Sequence, residues 1–296
     1  MEVVVSGPPG GQCGSGSADD RAPLMVFVHG WPDDGRVWAA QVAHFRKNYR
    51  CAVVTLPGFG PEARVMESGS ERPSEHNFDE LSKMLAQEIR DIQMDLEDRA
   101  ILVLHDWGSV IGFTMEDMYP DLVAGIVAID VGPPTLDHPR VKDVPAMLTI
   151  GLLYHYMLIW AYFLYKMGPH GLGERLGNAI SRMIARRVGA PHPEQALAAS
   201  NYTYYYFHRN FVAEFFGATA RSARYTKKPS SPQTTPTLFI YGVQKPIMLH
   251  SLRWVQNLKA SPDCHVIPVK AGHWIMHEVD PQELNRKISN FIDLNI

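Results

Sequence analysis

Six short apolar runs, Leu24–Val28, Cys51–Thr55, Ala100–Leu104, Gly125–Ile129, Thr237–Tyr241 and His265–Val269, constrain the fold of this chain more than any other feature. A strand with one face in water alternates apolar and polar residues, whereas a strand covered on both faces does not. The runs are too continuous for alternation, so they predict parallel strands buried between helices, an α/β architecture. The intervening segments agree. Phe78, Leu81, Met84, Leu85, Ile89 and Ile92 recur at helical spacing behind Asn77 and Glu80, which are set as an N-cap and its reciprocal partner. A last helix is expected to start at Asp280, carry Pro281 in its first turn, and bury Leu284, Ile288, Phe291 and Ile292. A short strand is expected near Glu2–Val5. The Gly-, Pro- and Ser-rich stretch from Ser6 to Ser17 then reads as a loose lead-in, without the basic and apolar regions of a secretion signal.

Between residues 132 and 231 the alternation stops, and helical patterns rich in aromatics take over. Gly132-Pro133-Pro134 on one side and Pro229, Pro232 and Pro236 on the other interrupt helix. The chain is therefore expected to divide into a core of residues 1–131 and 232–296 and a helical cap of residues 132–231. Val144–Tyr165 contains no Asp, Glu, Lys or Arg, a length that raises the reading of a membrane span. Gly151, His155 and the tyrosines fit helices over a pocket better, and weak contact of the cap with a membrane surface is the milder alternative.

Charge and cysteines narrow the class. A net charge of −3 with no Lys/Arg run gives no surface that would track phosphates, so no nucleic-acid partner is expected. Cys13, Cys51 and Cys264 are odd in number and far apart, which reads as reduced thiols in a cytoplasmic protein. His273 and His277 lie four apart, but His273 falls on a loop and no third ligand is visible, so no metal is expected. Gly7 to Gly16 do not join a strand to a helix as a dinucleotide fingerprint would, so no cofactor is expected either.

The chemistry concentrates where strands end. His105-Asp106-Trp107-Gly108 follows the run Ala100–Leu104 directly, which places a carboxylate at a sharp strand-to-helix turn where a hydrolase holds out its nucleophile. Ser109 is the rival, but centring the turn on it would put Trp107 and Ile111 at the flanking small positions. Centring it on Asp106 gives Gly108 on one side and Leu104 on the other. The plainer reading is that Asp106 caps the following helix. Two further segments bear on the choice. Leu24–Val28 runs into His29-Gly30-Trp31-Pro32-Asp33, where a cis-prolyl turn would aim the Trp31 backbone N–H at the elbow and, with that of Trp107, form an oxyanion hole. Ala271-Gly272-His273-Trp274 puts a histidine on a loop at the carboxyl end of the run His265–Val269.

Together these segments resemble the α/β-hydrolase superfamily, and within it the aspartate-nucleophile branch of epoxide hydrolases and haloalkane dehalogenases. The resemblance runs over most of the chain from Leu24 onward. It implies a mostly parallel sheet flanked by helices with an inserted cap, and no cofactor. Asp106 would attack an electrophilic carbon to form an alkyl-enzyme ester, and His273 would activate water against that ester. Many relatives carry the acid that orients the histidine in a G-x-x-D segment, but this chain has Gly242-Val243-Gln244-Lys245. Asp130, after Gly125–Ile129, is the expected replacement, with a structural strand-end role as its alternative. Epoxide hydrolases protonate the leaving oxygen with cap tyrosines, for which Tyr154 and Tyr206 are chosen. His29, Tyr156, Trp160 and Tyr205 are expected to line the site for a small apolar substrate. Three functions follow in order: an epoxide hydrolase, a haloalkane dehalogenase, and a binding protein whose machinery has decayed, the last motivated by Lys245 and Leu104.

Overall fold

The structure is a computed structural model that describes residues 1–8, 22–60, 76–95, 97–134, 152–168, 171–215 and 234–296. Most of the lead-in after Ser6, Cys13, the segment 144–151, Pro229, Pro232 and the boundary expected at 231/232 lie outside the described residues. Seven strands form one sheet: β1 (Glu2–Ser6), β2 (Leu24–Val28), β3 (Arg50–Thr55), β4 (Ala100–His105), β5 (Val123–Ile129), β6 (Thr237–Gly242) and β7 (Cys264–Val269). Their order is β1-β3-β2-β4-β5-β6-β7. β1 pairs antiparallel with β3, Glu2 opposite Thr55, and the other pairings are parallel. β2 and β4, at the centre, are buried at every position, as their uninterrupted apolar sequences require.

Helices α1 (Ala39–Phe45), α2 (Phe78–Ile92), α3 (Trp107–Met118), α4 (Leu152–Met167), α5 (Leu172–Arg187), α6 (Tyr202–Phe215), α7 (Leu252–Ala260), α8 (Ile275–Glu278) and α9 (Pro281–Asn295) complete the described fold. α2 opens on the reciprocal Asn77–Glu80 capping pair read from the sequence. α9 opens on Asp280, whose carboxylate accepts from the Gln282 and Glu283 N–H groups, and buries Leu284, Ile288, Phe291 and Ile292.

Strand order places the site. β3 lies on one side of β2 and β4 on the other, so the winding reverses between β2 and β4 and a crevice opens past their carboxyl ends. Two glycines let the chain close there. A Cβ on Gly108 would sit 2.3 Å from the Val28 carbonyl oxygen, so only glycine lets α3 start against the end of β2. Leu104, where a small residue was expected, is accommodated by Gly112, whose Cβ would fall 2.5 Å from the Leu104 side chain. The space the elbow needs has moved one helical turn into α3.

The described helices α4, α5 and α6 fall between β5 and β6, inside the interval where the sequence loses its strand pattern. Buried Asn201 ties them to the core. Its amide donates to the Leu158 carbonyl at 3.1 Å and the Ser181 hydroxyl at 2.8 Å, and its oxygen accepts the Trp31 indole N–H at 2.9 Å. Among the described residues no helix is long and apolar enough to cross a membrane.

Candidate active site

Four loops at the carboxyl ends of parallel strands bring the site together. Asp106, between β4 and α3, has φ 53° and ψ −122°, a conformation that a non-glycine residue adopts at a cost of about 1–3 kcal/mol and that surrounding contacts must hold. Those contacts are visible. The Trp31 backbone N–H donates to Asp106 Oδ1 at 2.7 Å, and the Trp107 N–H also stabilises the carboxylate. The Trp31–Pro32 bond is cis, as expected from the sequence. Gly30 makes the approach feasible, since a Cβ there would lie 2.2 Å from Asp106 Oδ1. Asp106 makes no side-chain cap to α3, so the plainer reading of it as a helix cap does not describe its contacts. Ser109 is fully buried.

The second carboxylate oxygen faces the histidine. His273 Nε2 is 3.5 Å from Asp106 Oδ2, and His273 Nδ1 donates to Asp130 Oδ2 at 2.6 Å. Asp130, at φ 68° after β5, is wholly buried and accepts the Gly242 N–H at 3.0 Å through Oδ1. The same Oδ1 forms an ion pair with Lys245. The lysine that stands where a carboxylate was expected is therefore the partner of the carboxylate that stands elsewhere. Asp106, His273, Asp130 and Lys245 form a line of alternating charge.

That line sets the protonation states. Burial pushes the Asp106 carboxyl up, but the hydrogen bond and charge of His273 hold it below its ordinary value. Burial likewise opposes ionisation of Asp130, yet His273 and Lys245 bring it down to about 2. His273 is pulled down by burial and lifted more strongly by the two carboxylates, to about 9. The histidine loop is fixed from three sides. His105 Nε2 donates to the His273 carbonyl at 3.1 Å, the Trp274 indole donates to Asp33 at 2.8 Å, and the Gly272 N–H donates to Glu278 at 2.6 Å. Gly242 permits the approach of β6, because its Cβ would collide with the Gly272 carbonyl oxygen at 1.9 Å.

The sequence pattern of the alpha/beta hydrolase family matches residues 25–287. This chain belongs to the alpha/beta hydrolase family. It is 26% identical to epoxide hydrolase 3 of Xenopus tropicalis, over 93% of this chain and 73% of the relative. It is 29% identical to epoxide hydrolase 1 of Caenorhabditis elegans, over 94% and 66% respectively. A haloalkane dehalogenase of Mycolicibacterium smegmatis is 31% identical, but over 45% of this chain and 41% of the relative. Among solved structures, a Bacillus megaterium epoxide hydrolase in complex with an inhibitor shares the fold, with TM-score 0.60 over 99% of this chain and 96% of that one at 21% identity.

Within this α/β hydrolase several expected site residues take other places. His29 does not line the site. It is fully buried, its Nδ1–H donates to the Gly30 carbonyl at 2.9 Å, and its Nε2 accepts the Leu56 N–H at 3.0 Å. Both nitrogens hold backbone, so His29 is a neutral brace for the Trp31 loop, and burial lowers its pKa to about 4. Trp160 is 67% exposed and Tyr156 49% exposed, on the outer face of α4. Tyr205 packs on Tyr162 and Phe163, and Tyr206 lies against Tyr202, Tyr205 and the Arg209 guanidinium.

The tyrosine of α6 that faces Asp106 is Tyr204. Its ring meets Trp107 at 5.1 Å, Trp31 at 5.6 Å and Tyr154 at 5.9 Å. Burial, followed by the neighbouring Tyr154 and the Asp106 charge, raises its pKa well above the ordinary value, and Tyr154 is raised by burial and the same charge. The Trp107 indole N–H is buried and has no hydrogen-bond partner among the described residues. Tyr154, chosen from the sequence, lies beside Tyr204, whereas Tyr206, the choice on α6, packs against Tyr202, Tyr205 and Arg209. Four successive aromatics, Tyr204 to Phe207, give no direction by themselves. The spacing Asn201, Tyr204, His208 marks one helix face and was the usable signal.

Proposed function

We propose that this hydrolase opens an apolar epoxide to a diol through an ester formed on Asp106. The observation that carries the proposal is the double engagement of Asp106: Oδ1 is held by the Trp31 N–H at 2.7 Å while Oδ2 faces His273 at 3.5 Å. Two tyrosine hydroxyls lie within electrostatic reach of the same carboxylate. Oδ2 is the attacking atom, and it is ionised without help from a general base. As the epoxide C–O bond breaks, Tyr154 gives its proton to the leaving oxygen with Tyr204 as second donor. Oδ1 becomes the ester carbonyl oxygen, and the Trp31 and Trp107 N–H groups stabilise the charge that gathers on it when water attacks Cγ.

The charge line explains how one imidazole serves both steps. With Asp106 ionised, two carboxylates keep His273 protonated. Esterification removes one of them, burial then favours the neutral ring, which releases its proton to solvent, and His273 can accept a proton from the hydrolytic water. Asp130 fixes the tautomer through Nδ1 and stabilises the imidazolium that forms. The helices α4–α6 act as the cap over this site.

The dehalogenase reading needs indole N–H donors for a halide. Trp160 is exposed and the Trp31 indole is occupied by Asn201, whereas the buried Trp107 indole N–H has no hydrogen-bond partner among the described residues and keeps the dehalogenase as the second reading; the two tyrosines beside Asp106 favour the epoxide. The decayed-site reading loses its motives, since Lys245 supports Asp130 and Gly112 makes room for Leu104. The free thiols of Cys51 and Cys264 support a cytoplasmic location. Leu153, Tyr156, Trp160 and Met167, exposed along one face of α4, support weak contact with a membrane surface.

The test is intact-mass analysis of His273→Gln protein exposed to an epoxide and to a haloalkane panel. Gain of one whole epoxide mass is expected. Gain of an alkyl group with halide release would favour the dehalogenase, and no covalent species with either would refute the aspartyl ester.

A further inference from the structure

A chain of hydrogen bonds leads from Tyr154 towards the protein surface, and the ester chemistry alone gives it no role. His155 Nε2 lies 2.8 Å from the Tyr154 hydroxyl, and His155 Nδ1 lies 2.8 Å from His208 Nε2. Both nitrogens of His155 are thus engaged, one on α4 itself and one across to α6. The His155 ring is enclosed by Tyr154, Tyr204, Phe207 and His208, with centroids 4.3 to 6.3 Å away. His208 is partly exposed, beside the ring of exposed Tyr156 at 5.3 Å.

We propose that Tyr154, His155 and His208 form a proton relay that resupplies the ring-opening tyrosine from the surface. The inference rests on the reading of Tyr154 as proton donor to the epoxide oxygen.

Facing nitrogens 2.8 Å apart share one proton, so at most one of the two rings can point an N–H into that gap. The two rings therefore cannot both be imidazolium, and burial, which lowers His155 to about 3 and also lowers His208, favours the neutral form of each. A neutral imidazole passes a proton by accepting on one nitrogen and releasing from the other. Tyr154 gives its O–H proton to the epoxide oxygen as the C–O bond breaks. His155 gives its Nε2 proton to the phenolate oxygen and takes the Nδ1 proton from His208 Nε2, which is restored through its own Nδ1 from water. The proton consumed here equals the one that His273 gives up to solvent when Asp106 is esterified; the proton it then takes from the hydrolytic water restores the imidazolium, the leaving alkoxide takes the acid proton of the regenerated Asp106 carboxyl, and the cycle closes as epoxide plus water to diol.

The physical need is plain. Burial raises the Tyr154 pKa, so an isolated phenolate inside the cap is unfavourable, and concerted delivery avoids forming it.

The experiment uses His208→Gln, which keeps an N–H donor for His155 but cannot pass protons, together with His208→Ala and Tyr154→Phe. Ester formation is followed in a single turnover with an aryl epoxide in H2O, D2O and their mixtures. The relay predicts that His208→Gln slows ester formation roughly 10- to 100-fold. It also predicts that a curved proton inventory becomes linear and that added imidazole restores His208→Ala. If His208→Gln forms ester within about twofold of the parent with the same curved inventory while Tyr154→Phe is slow, the relay is wrong and the donor assignment stands. If Tyr154→Phe is unaffected, the donor assignment falls and the relay with it.

Discussion

Replacing Asp130 by Asn tests the charge line most directly, because it removes one charge and keeps the shape. His273 is raised from 6.5 to about 9 against the pull of burial. At about 1.4 kcal/mol per pH unit this is a preference for imidazolium of about 3 kcal/mol from the two carboxylates together. In the hydrolytic step Asp106 is esterified, so Asp130, 2.6 Å from Nδ1, is the remaining support for the developing imidazolium. Losing the Asp130 share of that preference, roughly half or about 1.5 kcal/mol, slows ester hydrolysis on the order of tenfold, and an Asn N–H turned towards Nδ1 would enforce the wrong tautomer and extend the loss towards ~10⁴. Ester formation needs only ionised Asp106 and its proton donors, so it should change by less than about tenfold. Variant protein mixed with an aryl epoxide, quenched in acid and weighed intact, should therefore accumulate the ester while the parent shows little. The substitution also strands Lys245, and breaking a buried pair costs about 3–5 kcal/mol of stability. Asp130→Asn/Lys245→Met removes the stranded charge and should recover stability without recovering hydrolysis. Parental turnover with no ester in both variants would refute the assignment of Asp130.

Two further outcomes are expected. Tyr204→Phe should slow ester formation about 10- to 100-fold, whereas Tyr206→Phe, on another face of α6, should stay within about twofold in the same single-turnover assay. Equal effects would show that helix phase does not decide which hydroxyl matters. Folding stability should fall on both sides of neutrality. His29 and His105 are lowered by burial to about 4 and about 3, so their contribution is full above the unfolded value of 6.5 and lost as pH falls through those values. His273, raised to about 9, contributes fully below 6.5 and loses that contribution as pH rises through about 9. Denaturant midpoints across pH should show both limbs, and His273→Gln should flatten the alkaline one.

Much of this protein was legible in order along the chain because the signals are local. Uninterrupted apolar runs specify strands buried on both faces, and the segments His29–Asp33, His105–Ser109 and Ala271–Trp274 sit where those runs end. Asn77 with Glu80, and Asp280 with Pro281, fix helix starts through contacts within a few residues. What the sequence alone could not decide depends on distance across the fold or on helix phase. Lys245 looked like a defect in a linear motif and became the counter-charge of Asp130, a residue 115 positions away in sequence, only when β5 and β6 lay side by side. Leu104 looked too large until Gly112 was seen beneath it. Tyr204 was hidden among four consecutive aromatics, since the direction of a helix face is set by what packs on it. His29 changed from a site residue to a backbone brace because burial and partners belong to the packed molecule. Local patterning determined the strands, the helix starts and the three site segments; the assembled sheet and insertion decided which side chains meet, because charge and shape act across space rather than along the chain.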